Sequence, residues 1–553
     1  MDGEKGRRLE RWRERSDDAY WRMFEGKSEE ELVTLTQRES MAMLIAKELA
    51  AFMLEEHVAS DAAARPAEAS AGSCPKCGQP GAPASPADDE LPERTVVTRA
   101  GEIGVRRQKW RCAKCRIFFF PLDVRLRMGT EGYSPAVIEK ATRQAAKASS
   151  FAEASDDMRE LAEIEISATH LQRLSERIGE EWIEIRDEDV EAFRKGTLER
   201  SYKESPKGAA AVMLDGGRLQ TRAEDSGRGV FDERWRESKV ACCLTLNTKA
   251  SGEDPQREPP TKFLEPSEAA RLAGEIKNRR TASSKRSADG QAGDAANDKT
   301  GKRAKDRGKD RGKRRSRKSA KRGQGKTKRT RVRTVVATMA NSETFGWQVA
   351  AEVHRRGLDL TKRKACVCDG QAYNWSVYEM HLLPLGFIAI LDFVHLLAYL
   401  YDGAQAWRGL NPASAWTTYE QWLRWAWSGK VGSVLNGLRA AIADLNAQGP
   451  RAKDRLQTLT EALTYITNNR KRMDYPEYRR LGLPISSAPV ESTIKQINRR
   501  VEGTEKFWLE GGAESILQLR AAQLSEDGRW KTAWSRPRKH RRAAGAGRLG
   551  QAA

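Results

Sequence analysis

Apolar positions change period along the chain, and the changes divide it. Near the N-terminus, "ESMAMLIAKELAAFMLEEHV" carries an apolar stripe at helical spacing, which predicts a helix that docks on a neighbour. Residues 134–182 predict three further helices: Ser134 with Pro135 makes a helix start, and Ser167 opens the last of the three after a short break. From 209 the period shortens to short β-like runs: "AAVMLDGGRLQTR" (209–222), "ESKVACCLTLN" (237–247), "RTVVATM" (333–339), "ACVCD" (365–369) and "FIAILD" (387–392). Helical stretches, "SETFGWQVAAEVHRRGL" and "AYNWSVYEMHLL", separate the third run from the fourth and the fourth from the fifth. Three strands, helix, strand, helix, strand is a mixed α/β sheet. Residues 401–480 are helical again, and "GLPISSAPVESTIKQINRRVEGTEKFW" (482–508) opens one more helix near Pro489.

Length then bounds the count: 553 residues exceed one core and suggest three or four domains. No apolar run approaches the roughly 18–20 residues of a membrane helix. The opening "MDGEKGRRLERWRERSDD" is too charged for a signal peptide, so a soluble, cytoplasmic protein is expected. The net charge of +21 is concentrated: 299–333 holds nineteen Lys/Arg against two Asp, and the rest of the chain carries only about +4. With frequent Gly and no hydrophobic period, 251–332 is expected to be a disordered basic insertion. It reads either as a sequence-blind tether to phosphates or as a solvated linker. Five of the fifteen tryptophans fall in 401–480, where most are expected in the core.

Cysteine chemistry is the clearest local signal. "CPKC" (Cys74, Cys77) and "CAKC" (Cys112, Cys115) are two knuckles of identical spacing, and four thiolates suit a structural Zn²⁺. Between them "RTVVTRAGEIGVRRQKWRC" reads as a hairpin turning near Gly101 or Gly104, so knuckle, hairpin and knuckle make a zinc ribbon. A redox dithiol pair or unrelated free thiols are the alternatives. Cys242, Cys243, Cys366 and Cys368 lie in β-like runs as small core residues. The three helices after the ribbon are compatible with a helix-turn-helix DNA-binding unit, with Gln172 and Arg173 exposed, and equally with any small helical bundle.

Three aspartates follow buried runs: Asp215 after "AAVML", Asp369 after "ACVC" and Asp392 after "FIAIL". A carboxylate at the end of a buried strand is held on a rigid support, as acids presented to a metal ion must be. The helix near Pro489 supplies a fourth acid. At about 100° per residue Val490, Ile494, Ile497 and Val501 share one stripe, while Glu491, Lys495, Asn498 and Arg499 line its rim. An acid for a metal flanked by bases for a phosphate backbone is a nuclease-like surface; an amphipathic helix with an i,i+4 Glu–Lys pair is the plainer alternative. Asp392 and His395 stand three apart and can share a helical face, as support beside the site, as a contact to DNA, or as a helix cap with a packed histidine.

With these residues in view the chain resembles the DDE-type bacterial insertion-sequence transposases, most of all the Kra-type insertion sequences, which are related to the Mutator-like group. The resemblance rests on "MLDGGRLQTR", "WRESKV", "CDGQAYNW", "ILDFVH" and "RMDYPEYRRLGLPISSAPVESTIKQINRRVEG", in that order. The ribbon ending "WRCAKCRIFFFPLD" and the tail "FWLEGGAESILQLRAAQLSEDGRW" fit the same family. Where the family has a glycine before its last acid this chain has "SSAPVES", with the acid in place. The resemblance implies an RNase H-like α/β catalytic domain with a helical insertion before the last acid. It also implies Asp215, Asp369 and Glu491 as ligands of two Mg²⁺ or Mn²⁺ ions, with Asp392 and His395 supporting them. Lys495, Asn498 and Arg499 would face DNA. The implied activity is cleavage and joining of double-stranded DNA at element ends and target by a homodimer, in a nucleoid-associated protein. A structure-selective endonuclease and a DNA-binding protein with an inactive catalytic domain are the alternatives. The expected organisation is an N-terminal helical segment (1–70), zinc ribbon (71–125), helical DNA-binding domain (130–195), catalytic domain in three parts (205–250, 333–400, 481–535) split by the basic insertion (251–332) and a helical insertion (401–480), and a disordered basic tail (536–553).

Overall fold

The computed structural model describes residues 3–25, 33–64, 73–84, 91–201, 207–223, 234–288, 332–503 and 506–535. Most of the basic run and the whole basic tail lie outside the described residues, so the tether and tail expectations meet no structure. The chain divides into two compact units, one of Met1–Ile185, Leu219–Arg236 and Gln496–Ala553, the other of Arg186–Arg218 and Glu237–Lys495. Among the described residues no helix is long and apolar enough to cross a membrane.

The first unit begins with helices α1 (Gly3–Tyr20) and α2 (Leu35–Ala59). Thr34 and Gln37 form a reciprocal capping box at the start of α2. Short strands β1 (Ala82–Pro83), β2 (Glu93–Thr98), β3 (Gly101–Arg106), β4 (Trp110–Arg111) and β5 (Phe118–Phe119) follow. The expected hairpin is β2–β3, paired from Glu93↔Arg106 to Thr98↔Gly101. It is not part of the cysteine-bearing sheet, however. That sheet is β1-β4-β5, whereas β2–β3 stands alone and buries Val96, Ile103 and Val105 against Val58 of α2 with Leu122 and Met128. Alternation along "RTVVT" and "EIGVR" aims one face of the hairpin at α2, which is the docking that the α2 stripe requires.

Helices α3 (Pro121–Arg125), α4 (Pro135–Lys147), α5 (Phe151–Ala162) and α6 (Ala168–Arg194) come next, so the three helices expected after the ribbon are present. Ser134 and Ser150 cap α4 and α5 through their side chains, and Glu163 ends α5 in the left-handed region. Val137, Ile138, Ala141, Ala145, Met158, Leu171, Leu174 and Ile178 form their core. Arg173 is exposed, but Gln172 is half-buried and donates to Glu176.

The second unit holds the sheet: β6 (Ala209–Thr221), β7 (Arg234–Leu246), then α7 (Pro266–Ala288), β8 (Val332–Thr338), α8 (Ser342–Arg355), β9 (Arg363–Cys368), α9 (Ala372–Val377), β10 (Ile388–Leu391) and α10 (Phe393–Arg408). Strand order is β10-β9-β6-β7-β8. β6, β9 and β10 run parallel, with Leu214↔Cys368 and Leu391↔Cys368 as level pairs, and β7 pairs antiparallel with β8. The unbroken burial of Ala209–Leu214 and Ala365–Cys368 is what strands covered on both faces need. Cys242, Cys243, Cys366 and Cys368 are fully buried and form no disulfide among the described residues, as expected of core residues.

Helices α11 (Pro412–Trp427), α12 (Val431–Asn446), α13 (Lys453–Asn469), α14 (Tyr475–Arg480) and α15 (Ala488–Val501) complete the helical part. Trp422 and Trp427 are buried there, while Trp407, Trp416 and Trp425 are half-buried. The aliphatic stripe of α15 is as projected: Val490, Ile494, Ile497 and Val501 are all buried. Within the first unit, Arg500 at the end of α15 is 1 % exposed and donates to the Ala145 carbonyl at 2.7 Å, against the C-terminal end of α4. Burial lowers its pKa to about 10, and its cation lies 4.3 Å from the Phe151 ring centroid. The chain ends with β11 (Phe507–Trp508), which adds to β6 at Gln220 and Thr221, then α16 (Glu510–Leu524) and α17 (Arg529–Ser535).

One expectation changes. Residues 251–288 fall inside the interval expected to be disordered, yet Phe263 packs on Phe393 and Trp427, and Ala273 and Ile276 of α7 bury against Ala398 of α10. The charge of the whole interval masks a short apolar period, Ala269–Ala273–Ile276, in its first part. Ile276→Asp is therefore expected to undock α7, read as loss of amide-exchange protection over 266–277 and along α10; unchanged protection would refute that packing.

Candidate functional site

The four knuckle cysteines converge, with ligand atoms all within 4.8 Å of one another. The two knuckles share one backbone design. Cys74 N–H donates to Gln79 and Cys112 N–H to Ile117, and the residue after each second cysteine, Gly78 or Arg116, is left-handed. Cys77 Sγ and Cys112 Sγ are 3.7 Å apart. Tetrahedral zinc with bonds of about 2.3 Å needs sulfurs about 3.8 Å apart. The Gln79 backbone N–H and the neighbouring thiols lower Cys77 to about 7, and the hydrogen bond that Cys115 donates to Cys77, with burial, raises Cys115 to about 12. Four close thiols cannot all ionise without a cation, and this set could hold a metal such as zinc. Cys112→Ser is expected to abolish stoichiometric zinc, read by elemental analysis of the purified protein; retained zinc at one per chain would exclude this cluster as its site.

The second cluster stands at the sheet. Asp369 leaves β9 one residue past Cys368, and Asp392 leaves β10 one residue past Leu391. The expectation that Asp215 also ends a strand needs correction: β6 runs on to Thr221, and Asp215 stands one residue beyond the last pair with β9. The register therefore sets Asp392, Asp369 and Asp215 level on three adjacent strands, with Asp369 between the other two.

Each carboxylate has a different environment. Asp392 is fully buried and caps α10: Oδ1 accepts from Val394 N–H at 2.6 Å and His395 N–H at 3.4 Å. Oδ2 accepts from the Ser487 N–H at 2.8 Å and from the Ser487 hydroxyl. Burial would raise its pKa, yet His395 and Ser487 hold it below the ordinary value. Burial alone would lower His395, but Asp392, with the charges of Asp369 and Glu491, raises it to about 9, so it is an imidazolium at neutral pH. Its Nδ1 lies 3.4 Å from Asp392.

Asp369 is held from two sides. Its Oδ1 accepts from Gln371 N–H at 3.1 Å and the Asn374 amide at 3.0 Å, and its carbonyl accepts from the Tyr465 hydroxyl at 2.7 Å. Gly370, at φ +96°, lets the chain leave under the Tyr465 ring, where a Cβ would fall 2.6 Å from ring carbon. Tyr465 in turn stacks on Tyr399 with centroids 3.8 Å apart. Asp215 is raised to about 7, first by burial and then by the Asp369 charge, with a further contribution from Glu491; His395 opposes both.

Asp392, His395 and Glu491 bring one ligand atom each within 4.8 Å, whereas Asp215, Asp369 and Glu491 do not form so tight a set among the described residues. The tighter trio is the poorer metal cradle. Asp392 spends both oxygens on four donors. It is better described as an ion-paired brace beside the more open Asp215 and Asp369. On α15 Lys495 and Arg499 are exposed and Asn498 is half-buried. Ser487, Tyr465, Tyr373 and Glu237 escape a reading of the sequence. Only Ser487 has a local cue, its place in the block around Glu491; the others become neighbours of the acids through tertiary packing.

No protein-family model matches the chain, and no curated protein matches its sequence.

A group whose folded pKa exceeds its unfolded value costs stability as pH rises between the two. Without metal, Asp215 should therefore cost stability from about pH 4, its unfolded value, up to its folded value of about 7. Asp215→Asn is expected to stabilise the metal-free protein at pH 8 and to change it little at about pH 4, in paired thermal melts. Equal effects at both pH values would count against the raised pKa.

Proposed function

We propose that the protein is a DDE-type DNA transposase, with an RNase H-like catalytic domain that cleaves and joins the ends of its own element. The observation that carries this reading is the level placement of Asp215 and Asp369, each one residue past the last pair of two neighbouring parallel strands, with Glu491 near enough for its charge to raise Asp215. Mutually repelling carboxylates on rigid strands favour a divalent cation between them, and an all-oxygen donor set suits Mg²⁺ or Mn²⁺. The strand sequence, with a helical insertion before the helix of Glu491, agrees with the layout that the resemblance implies.

Asp215, Asp369 and Glu491 would hold two such ions. When bound, these would supply an activated hydroxyl nucleophile and stabilise the leaving oxygen in an in-line displacement. Asp392 holds His395 and the Ser487 turn in place, and so fixes the start of the helix that brings Glu491 to the sheet. Lys495 and Arg499 offer exposed cations for phosphates, and Asn498 an amide. The four-cysteine ribbon, as a structural zinc site, and the helices after it would grip the double-stranded element ends. Joining two ends calls for a homodimer.

Asp215→Asn, Asp369→Asn and Glu491→Gln are each expected to lower Mg²⁺- or Mn²⁺-dependent DNA cleavage by about a hundredfold or more while duplex binding by gel shift is kept. A variant that cleaves at the wild-type rate removes its residue from the site. Wild-type protein that binds DNA but neither cleaves nor joins it with either metal would overturn the reading.

A further inference from the structure

Beside the acids lies a feature that the roles above leave unused. Gly216 follows Asp215 on β6, and the place where its Cβ would stand is 2.9 Å from Tyr373 Oη and 3.1 Å from Glu237 Oε1. The two oxygens come from different elements, Tyr373 from the first turn of α9 and Glu237 from β7, and both face the bare backbone of Gly216. Tyr373 Oη is buried and meets no hydrogen-bond partner among the described residues. Glu237 is held by its other oxygen, Oε2, 3.5 Å from Lys239 Nζ, and that ammonium donates to the Ala340 carbonyl at 3.1 Å. Oε1 is the oxygen turned towards Gly216, on a side chain that is itself exposed.

A buried hydroxyl without a partner destabilises the fold, and such a cost is retained where the group serves a ligand. The chemistry of the pair defines that ligand. Tyr373 is a donor, kept neutral by burial and by the charges of Asp369, Asp215 and Glu237. Glu237 is an acceptor. A group that accepts from the first and donates to the second is a hydroxyl.

We propose that Gly216, Tyr373 and Glu237 form the seat of the attacking hydroxyl, a water in cleavage and a DNA 3′-hydroxyl in joining. This rests on the transposase reading above. In the step, a lone pair of the seated oxygen forms the new bond to phosphorus, and the bond from phosphorus to the leaving 3′-oxygen breaks with its electron pair. The hydroxyl proton passes by way of Glu237 to solvent, the leaving oxygen takes a proton from solvent, and Tyr373 keeps its own throughout. A side chain at 216 would meet Tyr373 Oη and Glu237 Oε1 and push them aside, so the bare glycine lets the two oxygens gather there.

The test uses full-length protein, supercoiled plasmid DNA, Mn²⁺, and glycerol as a second nucleophile competing with water. Tyr373→Phe removes one oxygen and keeps the ring. It is expected to slow nicking about tenfold, to shift the ratio of glycerol ester to free 5′-phosphate at the nick, and to leave plasmid binding and the melting temperature equal to or above wild type. Glu237→Gln is expected to shift the same ratio. A Tyr373→Phe protein that nicks at the wild-type rate with the wild-type ratio overturns the seat while leaving the nuclease reading intact. A lowered melting temperature with an unchanged ratio also overturns it, since the hydroxyl would then serve packing. Wild-type protein that does not nick with Mn²⁺ overturns the nuclease reading, and the seat with it.

Discussion

Like charges gathered at one level of a sheet are the constraint on which the rest of the second unit depends. Asp392, Asp369 and Asp215 lie side by side because three parallel strands share a register, and Glu491 adds a fourth carboxylate. Left alone, such a group would protonate or force the strands apart. The fold answers with unequal treatment. Asp392 is neutralised locally by backbone donors, Ser487 and the His395 imidazolium, while Asp215 is left short of donors and rises to about 7. That asymmetry separates an acid saturated with donors from one that is not.

The surroundings follow from this division. Asp392 is at once the cap of α10 and the partner of the Ser487 turn, so one carboxylate orients both helices that supply the neighbouring side chains. The helical insertion reaches back through Tyr465, whose hydroxyl meets the Asp369 carbonyl and whose ring closes over Gly370. The insertion is thereby part of the mounting of Asp369. A helical segment far along the chain can thus affect a strand-end carboxylate without touching its oxygens.

Legibility differs by element. The five sheet strands, the three helices after the ribbon and the buried stripe of α15 are local patterns, and burial follows hydrophobic period closely. The cysteine knuckles are legible because two identical short loops need no distant partner to define them. By contrast, the hairpin between the knuckles cannot be separated from their sheet by pattern alone, since both explain the same alternation and only the docking of α2 distinguishes them. The ordered part of 251–288 is hidden because net charge over a long interval outweighs three apolar positions. Asp215 reads as a strand end because a turn-like "DGG" spans it; β6 continues past its last pair with β9, and its far end, Gln220 and Thr221, pairs with β11.

By itself the sequence singled out the candidate residues: four thiols in two knuckles, aspartates after apolar runs, a glutamate on the rim of an amphipathic helix. Period and spacing are properties of a few consecutive residues, so they survive without a fold. Only tertiary structure decided which acids are neighbours, which one is saturated with donors, and which residues without a motif, Tyr465, Tyr373 and Glu237, stand among them. Strand register and helix docking bring together groups far apart in the chain, and the field at each carboxylate is the sum over all of them.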